Sequence, residues 1–185
     1  MFKVEETPLK GCLKICPIVR EDRRGAFVKT FHVDAFRELG LPTVFAEAYF
    51  SVSHRNVLRG LHFQTPPMDH EKIVYCTEGE VLDAVVDLRR SSLTYGQHAL
   101  FTLRASEGTM LYIPRGMAHG FCTRSECAVM MYQVTSVYDP DCDAPACDAG
   151  IRWDSAGIPW EIEDPVISER DMSFPTLTDF VSPFE

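Results

Sequence analysis

The chain lacks any apolar run approaching the ~18 residues that a membrane helix needs. Its opening stretch, Met1 to Thr7, holds no apolar signal core, so a cytoplasmic location and no membrane partner are expected. Positive charge is also scarce. Against 27 Asp and Glu stand 18 Lys and Arg, for a formal net charge of −9. A nucleic-acid binder needs a basic face, so nucleic acid is not an expected partner. The seven cysteines are odd in number and include no Cys-x-x-Cys pair, which argues for reduced thiols over a disulfide framework. No His-x-His pair sets two imidazoles on one strand face, because Gln64 fills the second slot after His62; no metal site is expected. Repeats, low-complexity segments and Gly/Ser linkers are absent too, and 185 residues with 45% apolar content suit a single domain, 1–185.

What remains is a series of short β-branched and aromatic runs between turn signals: 13–19, 26–31, 44–51, 58–63, 72–78, 80–88, 97–103, 109–113, 120–123 and 128–134. Regularly spaced short strands predict an all-β sandwich or barrel. One helix interrupts them, with Asp34 as N-cap, 35–39 as body and Gly40 as stop. From Asp139 onward the chain is rich in Pro, Asp and Cys and reads as loops wrapping back over the barrel. Within it, 141–148 is the least regular stretch and reads as an exposed loop.

The run Val57-Leu58-Arg59-Gly60-Leu61-His62-Phe63-Gln64 carries the most chemistry. Strand alternation puts Leu58, Gly60 and His62 on one face and Arg59, Leu61 and Phe63 on the other. A glycine inside such a run predicts a close approach by a ligand or another backbone. Alone, His62 reads as a half-buried structural histidine. It is followed by Lys72, by the strand-like 79–89, and by Ile113-Pro114-Arg115-Gly116-Met117-Ala118-His119-Gly120-Phe121. Together, from Asp22-Arg23-Arg24-Gly25 to Ser168-Glu169-Arg170-Asp171, these residues resemble the dTDP-4-dehydrorhamnose 3,5-epimerase family, metal-free cupins that act on nucleotide-linked 4-keto-6-deoxy sugars.

The resemblance implies a cupin-type jelly-roll barrel with a few short helices, no cofactor, a nucleotide-diphosphate sugar as substrate and a homodimer. Epimerisation beside a ketone needs a base, a group that stabilises the enolate, and an acid on the opposite face. An imidazole suits the first role. By resemblance, His62 is the base and Asp171, from the Ser-x-Lys-Asp motif, its carboxylate partner. Lys72 stabilises the enolate and Tyr132 reprotonates. Arg59 contacts phosphate, His119 the pyrophosphate or sugar, Tyr138 lines the site, and Arg24 reaches the neighbouring subunit's site. Gln64, Glu47, Lys29, Asp148 and Arg170 complete the expected substrate-binding set.

Several positions depart from the family pattern. Lys29 stands for Glu, Gln133 and Arg170 for Lys, and Phe45-Ala46-Glu47-Ala48-Tyr49-Phe50-Ser51 for Phe-Val-Gln-x-Asn-x-Ser. Lys29 and Glu47 alter charge near the nucleotide, where a carboxylate suits the amino group of cytosine. Epimerisation at C3 or C5 alone on a CDP- or other NDP-sugar, a 3,4-ketoisomerase and a non-catalytic sugar-binding cupin are therefore alternatives.

Overall fold

The structure, a computed structural model, describes residues 1–138 and 148–185, so most of the 141–148 loop lies outside the described residues. Antiparallel pairing dominates. One sheet runs in the order β1 (Phe2–Glu6), β2 (Leu13–Pro17), β10 (Met110–Ile113), β7 (Lys72–Glu78), β12 (Cys127–Val134) and β5 (Glu47–His54). The other runs β13 (Ala149–Gly150), β6 (Leu58–Phe63), β11 (Met117–Thr123), β8 (Glu80–Asp87) and β9 (His98–Arg104). A small hairpin of β3 (Val19–Asp22) and β4 (Gly25–Val28) stands apart. The two larger sheets close face to face as the all-β, cupin-type jelly roll. The helices are short: α1 (Val33–Glu38) and α2 (Glu169–Ser173).

Apolar alternation explains the packing. Between the sheets, Val74 and Met130 of the first meet Val85, Leu103 and Phe121 of the second. β8 is buried on both faces, because Leu82, Ala84 and Val86 point outward and are covered by Ile151, Ile158, Trp160 and Phe184. The chain beyond Asp148 thus wraps the barrel, as its composition indicates. On the other side, Phe36 and Leu41 cover Ile15, Ile73, Tyr75 and Met110 of the first sheet.

Two local expectations change. The α1 N-cap is His32, whose Nδ1 accepts from the Ala35 N–H at 3.4 Å, while Asp34 sits in the first turn and pairs with Arg37. Gly40, at φ 70°, follows the C-cap as expected. In β6 the strict alternation fails. His119 pairs with His62, but Phe121 pairs with Arg59, so β6 carries one extra residue against β11. This bulge turns both Arg59 and His62 inward with His119 and Phe121, and leaves Leu58, Leu61 and Phe63 together in the outer cluster. The approach expected at Gly60 is by backbone: a Cβ there would lie 2.7 Å from Gly120 Cα and 2.9 Å from the His119 carbonyl.

Candidate active site

The inward residues of the two sheets enclose a cavity of about 330 Å³. β5, β7 and β12 contribute Glu47, Tyr49, Ser51, Lys72 and Tyr132 from one sheet; β6 and β11 contribute Arg59, His62 and His119 from the other. Loop residues Gln64, His70, Tyr138 and Asp148, with Arg170 of α2, complete its rim. Most of the residues singled out by sequence therefore converge. Arg24 and Lys29 do not: Arg24 pairs with Asp22 in the exposed hairpin, and Lys29 lines a separate hollow with Met1, Ile18, Arg20 and Phe27.

Asp171 stands behind His62. Its Oδ1 lies 2.9 Å from His62 Nε2, and its Oδ2 accepts the Gly60 N–H at 3.0 Å. Ser168 caps α2, its hydroxyl accepting the Asp171 N–H at 3.1 Å, which aims the carboxylate at β6. Burial alone would raise the Asp171 carboxyl, but the hydrogen bond and charge of His62 and the Gly60 N–H hold it well below the usual carboxylate range. An ionised carboxylate only accepts, so it favours the tautomer with the imidazole proton on Nε2.

Lys72 opens β7, paired with Ile113 and Val134, and is buried. Burial pushes its ammonium down to about 8, partly offset by Asp148 and Asp83. Tyr132 has its hydroxyl 3.2 Å from Ser51 Oγ, and burial pushes its phenol well above the ordinary value, so it stays protonated. Tyr49, opposite it on β5, stacks on its ring with centroids 4.9 Å apart and planes at 17°.

Sequence reading missed Asp83. It is fully buried on β8, accepts from His119 Nε2 at 2.8 Å, and is raised by burial against the pull of His119. Its signal was available, since a carboxylate between apolar residues in a strand is buried only with a partner. His70 was missed too. Its Nδ1 lies 2.8 Å from Gln64 Oε1, and burial with Lys72 and Arg115 lowers it to about 3, so it is neutral. Glu47 is already engaged, accepting the Tyr138 N–H at 2.9 Å. Cys12, Cys16, Cys76, Cys122 and Cys127 are free thiols, and Cys142 and Cys147 lie outside the described residues. No group of three or more His, Cys, Asp or Glu among the described residues has metal-holding geometry. No helix among them is long and apolar enough to cross a membrane.

A sequence model of dTDP-4-dehydrorhamnose 3,5-epimerase matches residues 6–179. The chain is 39% identical to the dTDP-4-dehydrorhamnose 3,5-epimerase of Methanothermobacter thermautotrophicus, covering 95% of each. It is 38% identical to a dTDP-4-dehydrorhamnose 3-epimerase of Streptomyces niveus, over 88% of this chain and 78% of that one. Among solved structures, a dTDP-6-deoxy-D-glucose-3,5-epimerase of Legionella pneumophila in complex with dTDP-4-keto-L-rhamnose superimposes with a TM-score of 0.90. It is 30% identical, with 98% of this chain and 95% of that one covered.

Proposed function

We propose that this chain, which belongs to the dTDP-4-dehydrorhamnose 3,5-epimerase family, epimerises a dTDP-linked 4-keto-6-deoxyhexose at C3, C5 or both, without a cofactor. The observation that carries the reading is the opposition of His62, backed by Asp171, to Tyr132 on the facing sheet. His62 Nδ1 takes the proton from the carbon beside the ketone. The electron pair moves into the carbonyl, and the Lys72 ammonium, still largely protonated at pH 7, stabilises the enolate oxygen. Tyr132 then delivers its phenolic proton to the other face of the same carbon, and the centre is inverted.

Arg59 is suited to the substrate phosphates, since a guanidinium matches phosphate oxygens. His119, oriented by Asp83, presents its second nitrogen to the sugar. Arg24, exposed on its hairpin, serves the site of a second copy in a homodimer. A location in the cytoplasm completes the proposal.

The relatives carry both double- and single-epimerase names, so inversion at one centre is the second reading. Incubation with dTDP-4-keto-6-deoxyglucose in D₂O separates the two. Deuterium at C3 and C5 marks the double epimerase and deuterium at one carbon the single. No deuterium at either ends the proposal.

A further inference from the structure

His62 Nε2 has a second neighbour. Besides Asp171 Oδ1 at 2.9 Å, the guanidinium of Arg170 lies against it, with Nη2 at 3.1 Å. Arg170 is held there from several sides. Its Nη1 donates to Asp148, its Nε makes a longer contact to Asp171 Oδ1 at 3.4 Å, and its carbon centre lies 5.6 Å from the Phe174 ring centroid, within cation–π range. Phe174 is itself wedged. It meets the His62 ring edge-on at 5.8 Å, and a Cβ on Gly150 would come within 2.3 Å of it. These contacts hold the guanidinium beside the imidazole.

The other charged groups around the cavity are spent elsewhere or lie on other strands. Arg59 on β6 donates to Ser53 Oγ and to the Val52 carbonyl. Asp83 on β8 takes His119 of β11, Glu47 on β5 takes the Tyr138 N–H, and Tyr132 on β12 bonds Ser51. Lys72 opens β7, and His70 bonds Gln64. Among the described residues, His62 Nε2 has two close polar neighbours, the Asp171 carboxylate, which can only accept, and the Arg170 guanidinium, which can only donate.

A guanidinium only donates and a carboxylate only accepts, so the two make opposite demands on this imidazole. Asp171 favours a proton on the ring. A cation beside the ring disfavours a second proton at Nδ1 and speeds its release once taken. We infer that Arg170, clamped by Asp148 and Phe174, is a positioning residue that keeps the His62 base neutral and ready between turnovers. This role goes beyond substrate binding and rests on the reading of His62 as the base. The chain has Arg here where the pattern it resembles has Lys, and a planar fork reaches three partners at once where an ammonium is a single point.

The test compares wild type with Arg170→Met, Arg170→Gln and Arg170→Lys, each checked for folding by circular dichroism. The readouts are the pH profile of kcat/KM for solvent-deuterium exchange and, without substrate, the pH response of the His62 ring ¹⁵N signals. Arg170 is half exposed, so solvent reduces its effect. We expect both neutral variants to move the acid limb, and the ring response, to higher pH by about one unit. Lysine should leave both in place. A neutral variant with an unmoved limb and ring response, and KM raised tenfold or more, would make Arg170 a phosphate ligand and overturn the inference. Wild-type protein that exchanges no deuterium would indict the proposed function instead, while the ring signals still decide the role of Arg170.

Discussion

Asp171→Asn isolates the orientation of the base from its presence. The two carboxylate oxygens are both in use: Oδ2 accepts the Gly60 N–H at 3.0 Å and Oδ1 faces His62 Nε2 at 2.9 Å. An asparagine has one acceptor and one donor end. The Gly60 N–H is fixed by the backbone and can only donate, so the amide oxygen takes that side and the NH₂ turns to His62. A donor facing Nε2 requires the lone pair there, which moves the ring proton to Nδ1, the nitrogen proposed above to take the substrate proton. The base then arrives already protonated. General-base catalysis contributes roughly 10²–10⁴-fold, and a wrong tautomer forfeits the upper part of that range. We expect the exchange rate to fall about 10³-fold or more. The fold should survive, because losing one charge-assisted hydrogen bond costs about 2 kcal/mol, a Tm drop of roughly 4–8 °C for a chain of this size. Deuterium wash-in followed by mass spectrometry measures the rate, and the ring ¹⁵N shifts report the tautomer. Asp171→Asn placed on His62→Ala should add little further loss, since the two act as one unit. Exchange within tenfold of wild type, with the ring proton moved to Nδ1, would refute the reasoning.

Tyr132→Phe should lose inversion more than exchange, because His62 and Lys72 still form the enolate and return the proton to the same face; equal loss of both would make the phenol a packing group. Exchange should also fall as pH rises through about 8, where buried Lys72 gives up its proton, and a Lys72→Met variant should be slow throughout and show no such limb in the same rate–pH profile. Burial opposes the charge of Asp87, yet hydrogen bonds from Arg89, Ser92 and Thr94 bring its carboxyl down to about 2, below the ordinary carboxylate range. A lowered carboxyl contributes stability above its unfolded value that is lost as pH falls through its folded one, here about 2 kcal/mol between roughly pH 4 and pH 2. Urea titrations of wild type and Asp87→Asn should therefore differ most near neutrality and converge toward pH 2.

Several strands were legible because β-branched and aromatic runs bounded by turn signals are a local property. The 58–63 and 72–78 runs match β6 and β7 residue for residue. Phe2–Glu6 was not legible, since charges interrupt it and its pairing with β2 at the sheet edge supplies what its own pattern lacks. The α1 cap was misread for a related reason. Asp34 has the better intrinsic capping chemistry, but Phe36 must reach the cluster around Ile15, Ile73 and Met110, and that fixes where the helix begins.

The site was legible only through resemblance, and the distances along the chain say why. His62 and Asp171 are 109 residues apart, Gly60 and Asp171 are 111 apart, and His119 and Asp83 are 36 apart. No window of sequence holds both members of any of these pairs, so spacing carries no trace of them. What local sequence did carry was the anomaly: a glycine in a strand beside a histidine. Its meaning came out differently from the simplest reading. The extra residue in β6 puts Arg59 and His62 on one face and turns the Gly60 N–H toward Asp171. A strictly alternating β6 would have turned Arg59 away from the cavity that His62 enters. The irregularity in the strand is what brings His62, Asp171 and Arg59 together in one place.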